Sequence, residues 1–528
     1  MINKRNRIFI FVFSLFSFSL FSGAFSLFAE ETDYLQNPKF QRLSALLQGY
    51  LANDLELQKV TLTAQSKALD LSSSKIKAGI DVKLSTGNVS ISIGGKDQTR
   101  ITVAPSAVIG ISLINDGQID FSLPYTVEGD SKTVSNGSVS ATAGIISGSS
   151  RQSKISVMEA ERSYTEARRS VRDRALNAEK EFYENLKNLY ESAISIQTLK
   201  CNLYDDSLDL RVLETQGYSK TSAKYRQLFL KVQSDKRNIQ EEQRIFERET
   251  AIFAKKCGME LERTTAVGDE KVEKGERNEN YDPVKAGENA YNASISFLPE
   301  AIPQVKAEDI FSHNQDSYVK IENAGWQKQI AELKRQADVD MTLKATGEYK
   351  FNSSVSGYDD AGGKLVFDWK GISASAGAYV PTGINAFSSA QEDSRKNSNP
   401  YFQFSLDFSP SQWKLSKLEK QQDEINSKLE DIAIKNARDN YETDVLAKVS
   451  TFHDIKWSEN SYAEEYDMYN QLESDMEKWL KQGVVTESDL LNARNNKEKA
   501  RLNIMINCID LLIFNNEVKL LFYDDMEK

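Results

Sequence analysis

The chain alternates between two hydrophobic periods. From about residue 154, apolar residues recur at three- and four-residue steps through Val171, Ala175, Ala178, Phe182, Leu186, Leu189, Ala193 and Ile196. That period predicts a helix presenting one apolar stripe to a partner. It continues without proline or an interior glycine to Gln216, about 60 residues and about 90 Å at 1.5 Å per residue. A helix of this length suggests a coiled-coil arm. The pattern breaks at "TQGYSKTS" and resumes through Tyr225, Phe229, Val232, Ile239, Phe246 and Phe253, ending near Gly258. Ahead of it, a helix-like stretch over 43–74 gives way to strict alternation from Ile80. The segments "GIDVKLSTGNVSISIGG", "RITVAPSAVIGISLIND", "IDFSLPYTVEG" and "SVSATAGIIS" are separated by Gly, Asp, Asn and Ser, as strands joined by turns require.

The second half repeats this order. Helix-like sequence around Trp326–Arg335 leads into "VDMTLKATGEYKF", and "KLVFDW", "ISASAGAYV" and "PYFQFSLDFS" are further strands. A helix from near Trp413 carries Ile425, Leu429, Ile432, Tyr441, Val445, Val449 and Phe452 to Lys481. "KQGVVTES" interrupts it, and a last helix holds Leu490, Ala493, Ala500, Ile504, Cys508, Leu511, Val518 and Leu521. Laying "ETQGYSKTSAKY" over "LKQGVVTESDLL" sets Gly217 on Gly483 and Ala223 on Asp489. An internal duplication of about 260 residues follows from these matches. The organisation expected is a first repeat over 30–258 (strands about 79–148, helical hairpin about 151–257) and a second over 310–528 (strands about 338–409, hairpin about 412–523). A connector over 259–309, with the charged run "GDEKVEKGERNEN", joins them.

The amino terminus changes the compartment. Lys4, Arg5 and Arg7 precede an apolar run over 8–28 that ends at a small residue, Ala29, before acidic sequence begins at Glu30. This predicts a secretory signal peptide over 1–29. The run is also long enough to serve as an uncleaved membrane anchor. The remainder has no second long apolar run, so any membrane crossing must be made by β-strands, which need only about 10 alternating residues each. Removing the three leader cations takes the formal charge from −11 to −14. Such an acidic chain argues against nucleic acid as a partner.

Candidate chemistry adds little. No phosphate loop, dinucleotide fingerprint, nucleophile elbow or zinc motif is present, and the carboxylates sit among Lys and Arg on helices. This argues against an enzyme, a cofactor or a metal. His313 and His453 stand alone. Cys201, Cys257 and Cys508 are scattered, and their spacing supports no disulfide. Tyr349, Phe351, Trp369, Tyr379, Tyr401, Phe402, Phe404 and Phe408 cluster in the second strand region, where an interfacial girdle and core packing are equally open readings.

Strands that meet lipid must close their edges, because each unpaired backbone group in hydrocarbon costs several kcal/mol. One chain offers roughly four to eight strands, few for a roomy barrel, so a membrane reading requires several copies. The layout, with "KQGVVTESDLLNARNNKEKARLN" (481–503) as its most specific stretch and "QGYSKTSAKYRQL" as a weaker copy, resembles the TolC-like outer-membrane efflux proteins. The resemblance implies an α+β membrane protein of two helix–strands–helix–tip–helix repeats. Three copies would share a β-barrel in outer-membrane lipid and extend a long α-helical barrel through the periplasm. It would be the exit duct of a tripartite efflux or type I secretion system, with a periplasmic adaptor (membrane fusion) protein and an inner-membrane transporter as partners. The adaptor contacts implied are Gly217, Tyr218, Ser219 and Lys220 at one tip and Gly483, Val484, Val485 and Thr486 at the other. The pore constriction implied lies at Asp489, with Asn492 standing where the family has a second acid. A first-turn Asp that merely offsets the helix dipole is the alternative at 489. A non-channel periplasmic coiled-coil or adaptor-like protein is the alternative for the whole chain.

Overall fold

The computed structural model describes residues 37–85, 89–93, 99–111, 116–128, 131–134, 137–261, 283–352, 357–386 and 399–523. The expected leader over 1–29 and the charged run over 268–280 lie outside them. The helices are α1 (Gln41–Ala52), α2 (Leu55–Lys77), α3 (Ser149–Thr215), α4 (Ala223–Lys256), α5 (Pro283–Phe297), α6 (Val319–Ala337), α7 (Pro410–Lys481) and α8 (Glu487–Leu521). Helices α3 and α7 run for 67 and 72 residues. The strands are β1 (Ile80–Ser85), β2 (Val89–Ile93), β3 (Thr99–Val103), β4 (Ser106–Ile111), β5 (Gly117–Ser122), β6 (Tyr125–Glu128), β7 (Ser131–Val134) and β8 (Ser138–Ile146). In the second half they are β9 (Met341–Lys350), β10 (Asp360–Trp369), β11 (Ile372–Pro381) and β12 (Tyr401–Phe408).

The chain divides into two compact units. One comprises Leu62–Arg168 and Lys320–Asn440 and holds every described strand. Eight of these form an antiparallel sheet ordered β1-β4-β5-β8-β9-β10-β11-β12, and the other four form a second sheet, β2-β3-β6-β7. Twelve described strands exceed the four to eight expected, because three of the four alternating segments of the first half are each cut in two and β7 lies outside all four. Proline explains part of the cut. Pro105 stands between β3 and β4, and Pro124 between β5 and β6. A proline has no N–H to give the ladder. The Leu123 N–H still donates to the Pro105 carbonyl at 3.1 Å, so the two breaks lie side by side. Pairing of β8 with β9 joins the halves into one sheet, reinforced by a 3.0 Å hydroxyl–hydroxyl bond between Thr142 and Thr346.

In this unit α3 and α6 hold together around a buried guanidinium. Arg162 donates to both oxygens of Glu322, to Glu166 at 2.7 Å and to Asn323, and it lies 5.3 Å from the Trp326 ring. Gly148, just before α3, leaves no room for a side chain, since a Cβ there would fall 1.9 Å from the Ala337 carbonyl oxygen.

The other unit comprises Met1–Thr61, Arg169–Val319 and Tyr441–Lys528. Its core is the stripe the sequence pattern predicts: Phe182, Leu186, Leu189, Ala193 and Ile196 of α3 are buried against Leu43, Leu46 and Leu47 of α1. Phe246 and Phe253 of α4 and Leu502, Ile509 and Leu512 of α8 complete it. Part of the expected connector also belongs here. Residues 283–297 form α5, and Tyr291, Phe297 and Leu298 enter the core, with Tyr291 accepting from Gln197 at 2.7 Å. The three cysteines are free, and burial pushes the Cys257 thiol up to about 12.

Gly49 of α1 packs where only glycine fits, because a Cβ would stand 2.1 Å from the main-chain oxygen of Cys257. Gly49→Ala should therefore destabilise this unit by about 1–3 kcal/mol, as overpacking does. Gly325→Ala, in α6 with nothing within 4 Å of the new methyl, should be neutral or slightly stabilising. Thermal melting followed by helical circular dichroism distinguishes the two; equal effects would contradict the packing described.

Candidate functional site

Two features stand out from ordinary packing: one face of the large sheet, and the two turns that end α3 and α7.

The pairing register sorts the sheet's faces. Val82, Ile109, Ile119, Ala141, Gly347, Gly363, Ala378 and Phe402 lie side by side across all eight strands. One residue along, on the opposite face, the row reads Asp81, Gly110, Gln118, Thr142, Thr346, Lys364, Gly377 and Gln403. The apolar character persists in every second row. On β10 it runs through Ala361, Gly363, Leu365, Phe367 and Trp369, whose partners on β9 are Tyr349, Gly347, Ala345, Leu343 and Met341. Five such rows span about 27 Å along a strand, or about 21 Å at a 40° tilt, comparable with the roughly 25 Å apolar band of membrane barrels. This face is exposed: Leu84 is 79% and Phe404 78% accessible. The aromatic cluster divides between the two faces. Trp369 and Phe408 end the apolar rows, whereas Tyr379 and Tyr401 stack on the polar face at 5.1 Å. Among the described residues no helix is long and apolar enough to cross a membrane.

The two tips share one backbone device. Gly217 has φ +76° and Gly483 φ +72°. At the first tip the Gly217 N–H donates to the Glu214 carbonyl and the Tyr218 N–H to the Leu213 carbonyl, both at 3.1 Å. At the second, Gly483 donates to Leu480 at 3.0 Å and Val484 to Trp479 at 2.9 Å. This is the paired C-terminal cap that a left-handed glycine permits. Neither glycine has a neighbour within 4 Å of its missing Cβ, so a side chain there would meet backbone strain and open space. Tyr218, Ser219, Lys220, Val484 and Thr486 are exposed, and Val485 is half-buried.

The tips differ in length. Ser222 caps α4, its hydroxyl accepting from the Tyr225 N–H, whereas Thr486 caps α8 and accepts from Asp489. Counted from the caps, the counterpart of Asp489 is Tyr225, not Ala223 as the ungapped alignment expects; the first tip is two residues longer between glycine and cap. Tyr225 donates to Glu214 at 2.8 Å, tying the first hairpin shut.

Asp489 closes a capping box, its carboxylate accepting from the Thr486 N–H at 2.6 Å and hydroxyl at 2.8 Å. The Tyr204 hydroxyl of α3 donates to its other oxygen. That bond first, and the Thr486 N–H next, hold the Asp489 carboxyl below its ordinary value. Asp489 therefore has a structural part at the start of α8 that the dipole reading did not include. Asn492, one turn on, is half-buried, and its side-chain oxygen has no hydrogen-bond partner. Tyr204 is the member of this constellation that sequence reasoning missed: it lies 285 residues away, and no local pattern marks it. His313 stacks on Phe522 at 4.5 Å, His453 is exposed, and no group able to hold a metal occurs among the described residues.

An amphipathic eight-stranded sheet and long helices that end in glycine turns define an α+β protein whose sheet leaves apolar residues of one face exposed. Residues 46–273 match the family model described as the TP096X N-terminal domain, and residues 303–525 match the TP096X C-terminal domain. Together these take in more than four-fifths of the chain, which belongs to the TP096X family. No curated protein matches significantly. Similar solved structures include a membrane protein from Pseudomonas aeruginosa, 9% identical over 92% of this chain and 90% of that one, with a TM-score of 0.41. The open-state MtrE outer membrane channel of Neisseria gonorrhoeae is 12% identical over 90% and 88%, with a TM-score of 0.46. The outer membrane protein VceC of Vibrio cholerae is 10% identical over 91% and 96%, with a TM-score of 0.40. At TM-scores below 0.5 these structures carry no weight for the fold, which stands on the chain's own register.

The lowered Asp489 value has a signed consequence. A carboxyl whose folded value lies below its unfolded one stabilises fully above the unfolded value, and the contribution fades as pH falls through the folded one. Asp489→Asn should therefore melt below the parent near pH 7, with the gap closing below about pH 4. Melting curves at both pH values test this; a gap that stays constant would show that the charge of Asp489 does not hold the tip.

Proposed function

We propose that this chain is a TolC-like outer-membrane channel subunit that acts as the exit duct of a tripartite efflux or type I secretion system, not as an enzyme. The observation that carries the reading is the continuous apolar face across eight paired strands, opposite a face of Asp, Lys, Thr and Gln. In water each large side chain on that face forgoes about 1.5–3 kcal/mol of burial. Outer-membrane lipid against it recovers that energy, and the polar face then lines an aqueous lumen. The helices would extend through the periplasm. A periplasmic coiled-coil protein without a channel would need another cover for the same face, and none exists among the described residues.

Three copies in a ring would bring three Asp489 carboxylates towards one axis, a field that favours cations. The exposed tips, Gly217–Tyr218–Ser219–Lys220 and Gly483–Val484–Val485–Thr486, would receive a periplasmic adaptor coupled to an inner-membrane transporter. A capped carboxylate is compatible with a constriction, because the bonds from Tyr204 and Thr486 keep it ionised and fixed.

Planar-bilayer recording tests the channel. Protein extracted with detergent should insert and conduct, and Asp489→Asn should lower cation selectivity. Asp475→Asn serves as the control, since Asp475 is paired only locally with Lys478 and Gln471; Glu473 is unsuitable because it holds Arg494 and Lys497. Selectivity unchanged in Asp489→Asn but altered in the control would move the constriction elsewhere, and absence of any conductance would contradict the channel.

A further inference from the structure

The prolines that divide the two sheets do not change the register. In the large sheet β4 pairs with β5 up to Ser106 with Ser122, and in the small sheet β3 pairs with β6 from Val103 with Tyr125 onward. Three steps separate Ser106 from Val103, and three separate Ser122 from Tyr125. The four strands are therefore one unbroken antiparallel pair, in which Pro105 stands opposite Leu123 and keeps the 3.1 Å backbone bond from it. The flanking strands differ. Four steps separate Ser85 from Val89, and four separate Val134 from Ser138. On β1 the apolar residues are Val82 and Leu84, at even positions, whereas on β2 they are Val89 and Ile91, at odd ones. The alternation thus slips by one residue where the pairing does, and the apolar face passes from the large sheet into the small one. Val89 is 54% exposed, and Ile101, Val103, Tyr125 and Val127 are half-buried, as Ile109 is within the large sheet. On the opposite face the Thr102 and Thr126 hydroxyls lie 3.2 Å apart.

Resting on the membrane-channel reading above, we propose that the small sheet is part of the lipid-facing wall. Acyl chains cover Ile101, Val103, Tyr125 and Val127, and the membrane crosses the two halves of the chain at different levels along their strands. Length decides between this and a sheet standing in water. Within the large sheet β4 and β5 hold three apolar rows, Ala107–Phe121, Ile109–Ile119 and Ile111–Gly117. These span about 14 Å, or about 10 Å at a tilt of about 40°, against the roughly 25 Å band of membrane barrels. The rows of Pro105, Val103 and Ile101 bring the total to six. Six rows span about 34 Å along the strand and about 26 Å at the same tilt. Tilt also accounts for the offset between the halves. The six rows centre on Ser106, whose own row runs through Ser122 and Ser138 to Lys350. The five rows of β9 centre on Ala345, five residues from Lys350. At a tilt of about 40°, strands about 4.8 Å apart are staggered by about 4 Å each, so a crossing three strands away moves by about 12 Å, or about four residues. A sheet clear of the membrane would require neither the matched phase nor this stagger.

Spin labels placed one at a time test this in reconstituted bilayers. Val103→Cys and Val127→Cys probe the small sheet, Ile109→Cys the large sheet, and Thr102→Cys the opposite face. The unsubstituted chain, whose three cysteines are buried or half-buried, gives the background. Labels at positions 103, 127 and 109 should relax with lipid-soluble oxygen and be shielded from an aqueous nickel chelate, and the label at 102 should reverse that order. Nickel contact at 103 and 127 with oxygen contact at 109 would overturn this inference and leave the channel reading standing. Nickel contact at 109 as well would overturn the channel reading, and the inference with it. Charge gives a second measurement that needs no label. Val103→Arg should cut the amount of membrane-inserted protein several-fold, as Ile109→Arg does, whereas Thr102→Arg should insert nearly as well as the parent. Insertion of Val103→Arg at the parent's level, beside loss of Ile109→Arg, would put the small sheet in water and overturn the proposal.

Discussion

Everything distinctive in this chain depends on strand register. A sheet in which each strand alternates apolar and polar residues becomes amphipathic only if every pairing keeps the alternation in phase; one slip of a single residue reverses a strand's faces. Seven successive pairings carry that phase from β1 to β12; the β8–β9 join, between residues about 200 apart in sequence, holds it from Ser138 to Gly144 and takes one register shift between Gly144 and Ile146. The result is a sheet with one face unsuited to water and no described element covering it. The amphipathic face is a consequence of that one constraint.

The tips show a second economy, at the level of the backbone. A helix of 67 or 72 residues needs a defined stop if its partner is to return along it. Glycine at positive φ supplies the stop, and a hydroxyl cap restarts the chain. Nothing lies within 4 Å of the missing Cβ of either glycine, so both turns are open at that point. Tyr204 and Tyr225 supply the remaining rigidity by bonding carboxylates across neighbouring helices.

Much of this was legible in the sequence, for identifiable reasons. The helix boundaries and the two glycine stops follow from periodicity and from glycine chemistry, both local properties. The buried stripe of α3 was readable because its apolar residues face several partners at once. The same kind of pattern on α7 does not mark a core: Ile425, Leu429 and Ile432 are exposed, since period alone says that a face is apolar and not what covers it. The splitting of the first-half strands was hidden because alternation continues across Pro105 and Pro124. The place of Tyr225 opposite Asp489 was hidden by a two-residue difference in turn length. Residues 283–297 read as connector by composition, yet Tyr291 and Phe297 take them into the core.

Contact of the apolar face with lipid can be read by fluorescence. The chain has five tryptophans; Trp369 ends the apolar rows, while Trp326 lies under Arg162 in the α3–α6 contact. Variants retaining only one or the other, reconstituted into bilayers whose acyl chains carry bromine, report contact with hydrocarbon by quenching. An apolar face in lipid should give strong quenching of Trp369 and little of Trp326. Equal quenching of the two, or quenching of Trp369 by aqueous iodide in place of lipid bromine, would contradict it.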